Sequence, residues 1–519
     1  AIGANAYQNS DTENDNMAIG YNAMIINTAG GTRNIAIGNY ALDALTSGDD
    51  NVAVGYDAGT AINTGSANVA IGAYALDSTT SGDNNTAVGK VALGANTTGA
   101  GNTAVGYASL DASSTASNNT AVGLRALSTN STGADNVAVG KNAALANTTA
   151  ASIVAIGSNT LESNTTGGEN TAVGQGAMNA NTTGAYNIAV GTAALAANVG
   201  GTRNIAIGVN AMDGSDTESD NIAIGSYAMT TNNAGGAGNV ALGHYALDAL
   251  TSGDRNIGIG TSALGANTEA GDNTAVGSYA LQATTTGNGL NSAVGAYALQ
   301  AVTTGSSNIG IGYKAGENLT DGVNNILIGR NAAAHGISST SLDACIVIGD
   351  YSDTSAVDSG KQLVMGYNVT GTGNNAFTFG NAATDSNIDF GATSISAPSD
   401  IRLKENINDA VAGLSFINDL RPVTFNWKKE KDIPEEMATH KAGSEERFNN
   451  DKLNHGFIAQ EVKAVIDNHS EIKDGFKMWK EDEKDGRQRV ADGALVPMLV
   501  KSIQELSAKN DALLARIET

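Results

Sequence analysis

The sequence is dominated by one motif, Asn-x-Ala-(Val/Ile)-Gly, whose closing glycine recurs every 17 residues from Gly38 to Gly225. The pattern continues with occasional one-residue insertions to Gly329 and loosens beyond that residue. A fixed period of this size indicates a chain wound into stacked coils, because each repeat is one structural unit that packs on its neighbours. The repeat therefore predicts a solenoid.

Each period holds two short apolar segments separated by turn residues. One is the end of the motif itself, and the other is an Ala-Leu or Ala-Met pair such as Ala41-Leu42 or Ala246-Leu247. The Asn, Thr and Gly that fill the remainder are poor helix formers and favour turns. We therefore predict short parallel strands with Gly/Asn corners. Mostly Ala, Val and Ile should point inward, and the repeated Asn should stack between coils as an amide ladder.

The composition changes sharply near residue 398, since all four prolines and both tryptophans lie beyond residue 397. We predict a mostly β protein with a β-solenoid shaft over residues 1–398 and a small α+β domain over residues 399–519. The shaft should be regular to about residue 330 and degraded over 331–398. At one strand spacing of ~4.8 Å per coil, roughly 22 coils give a length on the order of 100 Å. So thin a core favours lateral association of several chains.

The charge and the single cysteine exclude several classes of function. A formal net charge of -24 and a pI near 4.4 disfavour binding to nucleic acid, because the surface repels phosphate. No stretch approaches the ~18 apolar residues of a membrane span, so we expect no membrane insertion. Cys345 lies in an apolar run and is interpreted as a small buried hydrophobe. We predict neither a cofactor nor a metal site.

The repeats resemble those of a known class of surface protein. Motifs such as Asn34-Ile35-Ala36-Ile37-Gly38 are similar to the Asn-Ser-x-Ala-Ile-Gly core of trimeric autotransporter adhesin heads, which fold as left-handed parallel β-rolls. The resemblance covers about residues 1–380 and implies a trimer. The period of 17 residues is longer than the usual head repeat, and we attribute the extra length to a larger corner loop.

Four motifs in the remaining residues point to a second family. They are Ser399-Asp400-Ile401-Arg402-Leu403-Lys404-Glu405-Asn406-Ile407, Leu420-Arg421-Pro422-Val423-Thr424-Phe425-Asn426-Trp427, His455-Gly456-Phe457-Ile458-Ala459-Gln460-Glu461-Val462 and a C-terminal run that starts at Leu495. Together and in this order they resemble the intramolecular chaperone domain of endosialidases and many phage tail fibres. The resemblance covers residues 399–519. It implies a domain that folds a trimeric β-structure and then removes itself by autoproteolysis.

The resemblance also assigns a catalytic pair, with Ser399 as nucleophile and Lys404 as its base. A serine hydroxyl needs an adjacent base, and a lysine serves as one only where its surroundings make it neutral. On spacing alone, Ser399-Asp400 would be a helix N-cap and Lys404 a solvated charge. We place the cut beside Ser399, at Pro398–Ser399 in preference to Ser399–Asp400. We interpret His455 as a structural residue in preference to a catalytic helper.

The domain is predicted to hold helices at residues 408–420 and 457–468, a strand at 421–428 and a charged, loop-rich insertion at 429–453. A long helix over about 495–519 has near-heptad apolar spacing that suits a trimeric coiled coil, and its alternative is an amphipathic helix packed on its own subunit. Its apolar residues are Leu495, Leu499, Ile503, Leu506, Leu513, Leu514 and Ile517.

We therefore predict a phage tail fibre or tailspike, a homotrimeric virion protein that folds in the host cytoplasm and adheres to a host-surface glycan. Its only enzymatic activity would be a single-turnover serine autoproteolysis. A bacterial surface adhesin with a trimeric β-roll head and an ice-binding solenoid are the alternatives. The shaft shows no carboxylate pair in an aromatic-lined groove of the kind that hydrolyses glycans.

Overall fold

The computed structural model describes residues 1–9, 15–287, 289–336, 340–382, 384–392, 395–396, 399–435, 437, 439–473, 478–481 and 487–517. The chain divides into two compact units, Ala1–Pro398 and Ser399–Thr519. Each unit has its own hydrophobic core. No helix in the described part of the chain is both long and apolar enough to cross a membrane.

The first unit consists of short strands joined into one 23-stranded sheet. The strands are β1 Met17–Ile19, β2 Ile35–Ile37, β3 Val52–Val54, β4 Val69–Ile71, β5 Thr86–Val88, β6 Thr103–Val105, β7 Thr120–Val122, β8 Val137–Val139, β9 Val154–Ile156, β10 Thr171–Val173, β11 Ile188–Val190, β12 Ile205–Ile207, β13 Ile222–Ile224, β14 Val240–Leu242, β15 Ile257–Ile259, β16 Thr274–Val276, β17 Ser292–Val294, β18 Ile309–Ile311, β19 Ile326–Ile328, β20 Ile346–Ile348, β21 Leu363–Tyr367, β22 Ala376–Asn381 and β23 Ser386–Asp389.

Each strand pairs in parallel with the strand of the next coil, in a register that repeats the sequence period. Ala36 of β2 lies opposite Ala53 of β3, and Ala172 of β10 lies opposite Ala189 of β11. The parallel order runs to β22, after which β23 turns back antiparallel. The predicted β-solenoid of 17-residue repeats is therefore confirmed.

The direction of the strand side chains differs from the prediction. The central residue of each three-residue strand, most often Ala, is buried, whereas the residues on either side of it face outward, as in β11, where Ile188 and Val190 are 40% and 37% exposed. Side chains alternate between the two faces of a strand, so a buried central residue requires outward-facing neighbours. The interior is filled by Ala together with the Leu or Met of the second apolar segment, such as Leu42 and Met178.

The repeat glycine lies where consecutive coils are closest. At Gly140 the backbone has φ +139°, and a Cβ atom built there would lie 2.3 Å from the carbonyl oxygen of Gly157 in the next coil. Both the backbone conformation and the space exclude any side chain at this position. This contact explains why the closing residue of the motif is a glycine in coil after coil.

The predicted amide ladder is confirmed, and it lies in the interior. The backbone N–H and the Nδ2 of Asn85 both donate to Oδ1 of Asn68, at 3.0 and 3.1 Å, and Nδ2 also donates to the carbonyl of Gly99 at 2.9 Å. Such contacts satisfy a buried amide without water. The ladder comprises Asn34, Asn51, Asn68, Asn85, Asn102, Asn119 and Asn136, and after a break at Ile153 it continues with Asn170, Asn187, Asn204, Asn221, Asn239, Asn256, Asn273, Asn291, Asn308 and Asn325.

A second buried ladder was not predicted. Asn147, Asn164, Asn181 and Asn198 each donate through Nδ2 to Oδ1 of the preceding Asn in the ladder, which begins at Asn130, at distances of 2.7 to 3.1 Å. Many of the other coils place Thr, Ser, Val, Ile or Leu at this position, which hides the pattern in the sequence.

The solenoid continues through the degraded repeats with unequal coil lengths. Ile326 pairs with Ile346, and Leu363 pairs with Phe377, so successive coils there are longer and then shorter than 17 residues. Cys345 occupies the ladder position, and its backbone N–H donates to Oδ1 of Asn325 at 2.9 Å. Its side chain is buried, as predicted, and burial raises the pKa of the thiol.

The second unit is a small α+β domain. Its elements are α1 Leu414–Asp419, β24 Val423–Phe425, β25 Asn454–Gly456, α2 Ala459–Asn468, β26 Trp479–Glu481, β27 Gln488–Val490 and α3 Val496–Ile517, with 3₁₀ turns at Ile401–Leu403, Glu430–Asp432 and Asp492–Leu495. Strands β24 and β25 pair antiparallel, as do β26 and β27. Phe416, Val462, Ile466 and Met478 are central to the core. The predicted α+β domain ending in a long helix is confirmed.

Helix α1 is shorter than the predicted helix at residues 408–420. It begins at Leu414, after Gly413, which has no side chain to cap a helix. Instead the backbone N–H of Leu414 donates to Oε2 of Glu505 on α3, at 2.9 Å. The start of α1 is thus determined by a tertiary contact that local sequence does not reveal.

The interruption of the second ladder leads to a testable substitution. Oδ1 of Asn96 and Oγ of Ser113 are buried without a hydrogen-bond partner among the described residues. Ser113→Asn would supply an amide that joins Asn96 to Asn130. Because an unsatisfied buried group costs roughly 1–3 kcal/mol, we expect stabilisation of about 1 kcal/mol or more. The thermal unfolding midpoint should therefore rise. Thr115→Asn, an exposed substitution in the same turn, should leave it unchanged, and equal midpoints for the two variants would contradict the ladder explanation.

Candidate functional site

Ser399 and Lys404 lie within hydrogen-bonding distance of each other. Nζ of Lys404 donates to Oγ of Ser399 at 2.7 Å. The 3₁₀ turn Ile401–Leu403 joins the two residues, and Lys404 is its C-cap. A short turn thus brings together two side chains that are five residues apart in sequence.

Asp400 and Arg402 shape this turn. Oδ1 of Asp400 accepts from the backbone N–H of Arg402 at 2.8 Å, so Asp400 is the N-cap of the turn. The Arg402 guanidinium also pairs with the same carboxylate at 2.6 Å and holds its pKa below the usual range. The N-cap expected from local sequence is therefore present, on Asp400, and it positions the serine and the lysine.

The segment that carries the pair presents its apolar side chains to solvent. Ile401, Leu403, Ile407 and Val411 are 72%, 68%, 63% and 68% exposed, and Ser399 and Lys404 are exposed as well. We call residues 399–411 the apolar arm. Four large aliphatic side chains on one short segment form an unusual exposed surface, because such groups are normally buried.

The predicted cleavage site is only partly defined. Ser399 is described, whereas Pro398 lies outside the described residues. The structure therefore describes the two side chains of the predicted pair but not the carbonyl group that Ser399 is expected to attack.

The second and third sequence motifs of this unit contact each other in the structure. Arg421 pairs with Glu461, which links the second motif to helix α2 of the third. The paired strands β24 and β25 place Thr424 opposite His455. The His455 side chain is exposed, and no hydrogen bond joins it to Ser399 or Lys404 in the described parts of the chain.

One known protein family is similar to this part of the chain. Residues 399–471 match the family described as chaperone of endosialidase. No curated protein and no solved structure is significantly similar to the chain. The second unit carries an endosialidase-type chaperone. The matched segment includes the apolar arm, both strands of the β24–β25 pair and α2.

One buried histidine of the chaperone unit was missed in the sequence. Nδ1 of His469 lies 2.8 Å from Oε1 of Glu471, and Nε2 lies 2.9 Å from Oδ2 of Asp419. The ring also packs edge-on against Phe416, with ring centroids 5.3 Å apart. The two carboxylates raise the pKa of His469, with Glu471 as the larger cause. The imidazolium thus ties the end of α2 to the end of α1.

This contact predicts a pH dependence of the chaperone unit. A raised pKa means that the stabilisation is fully present below the ordinary histidine value of 6.5 and is lost as pH rises through the higher folded-state value. The unfolding midpoint should therefore decrease from pH 6 to pH 8. Tryptophan fluorescence reports on this unit alone, because Trp427 and Trp479 are the only tryptophans. His469→Gln should lower the midpoint at pH 6 by several degrees and remove the slope, whereas His455→Gln should do neither.

Proposed function

We propose that this protein is a phage tail fibre or tailspike whose chaperone unit assembles the solenoid into a homotrimer and then cuts itself off beside Ser399. The observation that carries the proposal is the 2.7 Å contact between Ser399 and Lys404 in a segment that matches the endosialidase chaperone family. The shaft belongs to the virion and adheres to a host-surface glycan.

The chemistry follows from the two side chains. Oγ of Ser399 attacks the carbonyl carbon of Pro398, and its proton passes to neutral Lys404. The bond from that carbon to the nitrogen of Ser399 breaks, and Lys404 returns the proton to this amine. The resulting ester between Pro398 and the serine oxygen is opened by water. The products are a carboxylate on Pro398 and a free amine on Ser399.

The apolar arm explains how assembly would activate this pair. A lysine that faces water is favoured in its charged form, which cannot take a proton from serine. Contact of Ile401, Leu403 and Ile407 with neighbouring subunits would remove water from around Lys404 and favour its neutral form. Cutting would then follow correct trimerisation instead of preceding it.

Intact mass and native mass of the wild-type chain, Ser399→Ala and Lys404→Ala test this mechanism. The wild type should yield a shaft that ends at Pro398 and a separate tail of about 120 residues that begins at Ser399. Both variants should stay full length and trimeric, because each removes one partner of the reaction and neither belongs to a core. Asp409→Ala, an exposed substitution in the same arm, is the control and should cut normally.

A full-length wild-type trimer would overturn the autoproteolysis while leaving the fibre function intact. Cleavage of a monomeric chain would overturn the dependence on assembly.

The outer face of the parallel sheet offers a surface for trimerisation. The third residue of each strand from β1 to β20 is an outward-facing Val, Ile or Leu, as Ile71, Ile156 and Val294 illustrate with exposures of 40%, 39% and 43%. Stacked over the coils, they form a continuous apolar stripe, which a monomeric soluble protein rarely exposes. Burial of this stripe between copies would supply the apolar area that one thin solenoid lacks.

Helix α3 of the chaperone unit also exposes a row of apolar residues. Leu499, Ile503, Leu506, Leu513 and Ile517 are each at least 43% exposed and follow heptad spacing. Asn510 occupies the heptad position between Leu506 and Leu513, where a polar residue specifies register in coiled coils. We infer that α3 pairs with its counterparts in the trimer.

A paired substitution on β11 tests the role of the stripe. Ile188→Lys with Val190→Lys places two charges on the outer face without disturbing the buried Ala189. We expect loss of the trimer in native mass spectrometry, because three such coils would bring six like charges together. Val199→Lys alters a residue of the same coil that is 42% exposed but lies in a turn, and it should stay trimeric. A trimeric double variant would show that the interface lies elsewhere.

The ice-binding alternative finds no support in one column of threonine side chains, which lies in the turns. Oγ1 of Thr148 donates to the carbonyl of Thr165 at 3.0 Å, and Oγ1 of Thr165 donates to the carbonyl of Thr182 at 2.9 Å. These hydroxyl protons are used to join consecutive coils and are not presented to solvent.

A further inference from the structure

The tyrosines of this chain are concentrated on one edge of the solenoid. All but Tyr7 and Tyr186 of the 14 tyrosines occupy the first or second position after a repeat glycine. The residues after consecutive glycines stack above one another, so the rings of neighbouring coils come into contact. In the other coils the same two positions hold residues of many kinds, such as Ser, Lys, Asn or Ala.

Four of these rings form an uninterrupted row in the first coils. The centroid distances are 5.4 Å for Tyr21–Tyr40, 6.0 Å for Tyr40–Tyr56 and 5.6 Å for Tyr56–Tyr74, and each pair is edge-to-face. Tyr21, Tyr56 and Tyr74 are 44%, 46% and 37% exposed. We call these four residues the tyrosine row.

Two members of the row have a backbone conformation that is unfavourable for a bulky residue. Tyr40 and Tyr74 have φ of 60° and 61°, in the left-handed region that costs roughly 1–2 kcal/mol for an L-residue. Aromatic contacts offset part of that cost. Contacts between the rings do not require the rings to be exposed to solvent. The exposure of the tyrosine row therefore suggests that it binds a ligand.

Three of the later tyrosines differ because cations cover their rings. Nζ of Lys314 lies 5.6 and 5.7 Å from the ring centroids of Tyr297 and Tyr313, and the Arg330 guanidinium lies 4.5 Å from that of Tyr351. The aromatic faces there already have cationic partners from the same chain. No such contact covers the tyrosine row in the described residues.

Carboxylates accompany the tyrosine row instead of cations. Asp57 is close enough to raise the pKa of Tyr56, and it also contributes to the raised pKa values of Asp43 and Asp77, for which burial is the main cause. Carboxylates accept hydrogen bonds from hydroxyl groups and repel anions. The surface therefore combines aromatic faces, hydrogen-bond acceptors and negative charge.

We propose that the tyrosine row, with Asp43, Asp57 and Asp77 beside it, binds an uncharged glycan. The C–H groups of a sugar ring carry partial positive charge and stack on the negative faces of aromatic rings, while its hydroxyls donate to the carboxylates. Acidic polysaccharides are repelled. This inference rests on the proposed adhesive function and gives it a site and a ligand class. Three copies in a trimer would convert weak single contacts into firm adhesion.

Binding of the full-length chain to immobilised mannan, dextran, polysialic acid and alginate tests the proposal. The wild type should bind at least one of the two uncharged polymers and neither acidic polymer. Tyr21→Ala with Tyr56→Ala should weaken that binding at least tenfold. Tyr107→Ala is the matched control, because Tyr107 has the same position in its repeat and is 47% exposed but has no ring contact among the described residues. It should bind as the wild type does.

The outcomes separate the site from the function. If the wild type binds an uncharged polymer and the double variant binds equally well, the tyrosine row is not the site but adhesion stands. If no polymer is bound, both the proposed adhesion to a glycan and the tyrosine row as its site are wrong. Binding of acidic polymers alone overturns the ligand class. If the double variant loses its trimeric native mass, the row is a contact between copies and the proposal is wrong.

Discussion

The close approach of consecutive coils at the repeat glycine determines the geometry of the first unit. Because a Cβ atom at Gly140 would lie 2.3 Å from the carbonyl oxygen of Gly157, the two backbones meet with no side chain between them. This contact sets the coil spacing and keeps the strands in register. With that spacing, the Asn that precedes the strand comes within 3.1 Å of its counterpart in the next coil, as at Asn85 and Asn68. The buried amides can then satisfy one another.

The same geometry makes each coil dependent on its neighbours. An Asn of the ladder finds its acceptor in the preceding coil, and its own Oδ1 is satisfied by the following one, so an isolated coil would bury unpaired polar groups. The interior of one coil buries little apolar surface to offset the cost of these polar groups, because the strands contribute mainly alanine to it. Such a chain gains stability only as many coils stack, and the proposed trimer would add to it by covering the outer stripe. A chaperone in the same chain is consistent with a folding reaction whose first steps are this unfavourable.

The sequence predicted features that repeat and missed those that depend on three-dimensional context. The period alone identified the solenoid and the ladder from Asn34 to Asn325. It did not reveal which way Val and Ile point, because alanine is small enough to fit inside or outside and the strand has only three residues. The second ladder was hidden by substitutions at its position. The start of α1 was misplaced because Glu505, far along the chain, supplies the cap, and the His469 contacts join residues 50 positions apart.

The proposed catalytic pair depends on two kinds of structure, the local turn and the assembled subunits. A turn built by Asp400 and Arg402 brings Ser399 and Lys404 to 2.7 Å within one chain, so their distance needs no partner. Their surroundings are different, because the aliphatic side chains of the arm are exposed and give the lysine no dry environment. Geometry can be encoded in a few adjacent residues, whereas exclusion of water requires a second surface. Under the proposed mechanism, a turn that forms before the subunits meet would align the pair early, and the arrival of the neighbouring subunits would determine when it reacts.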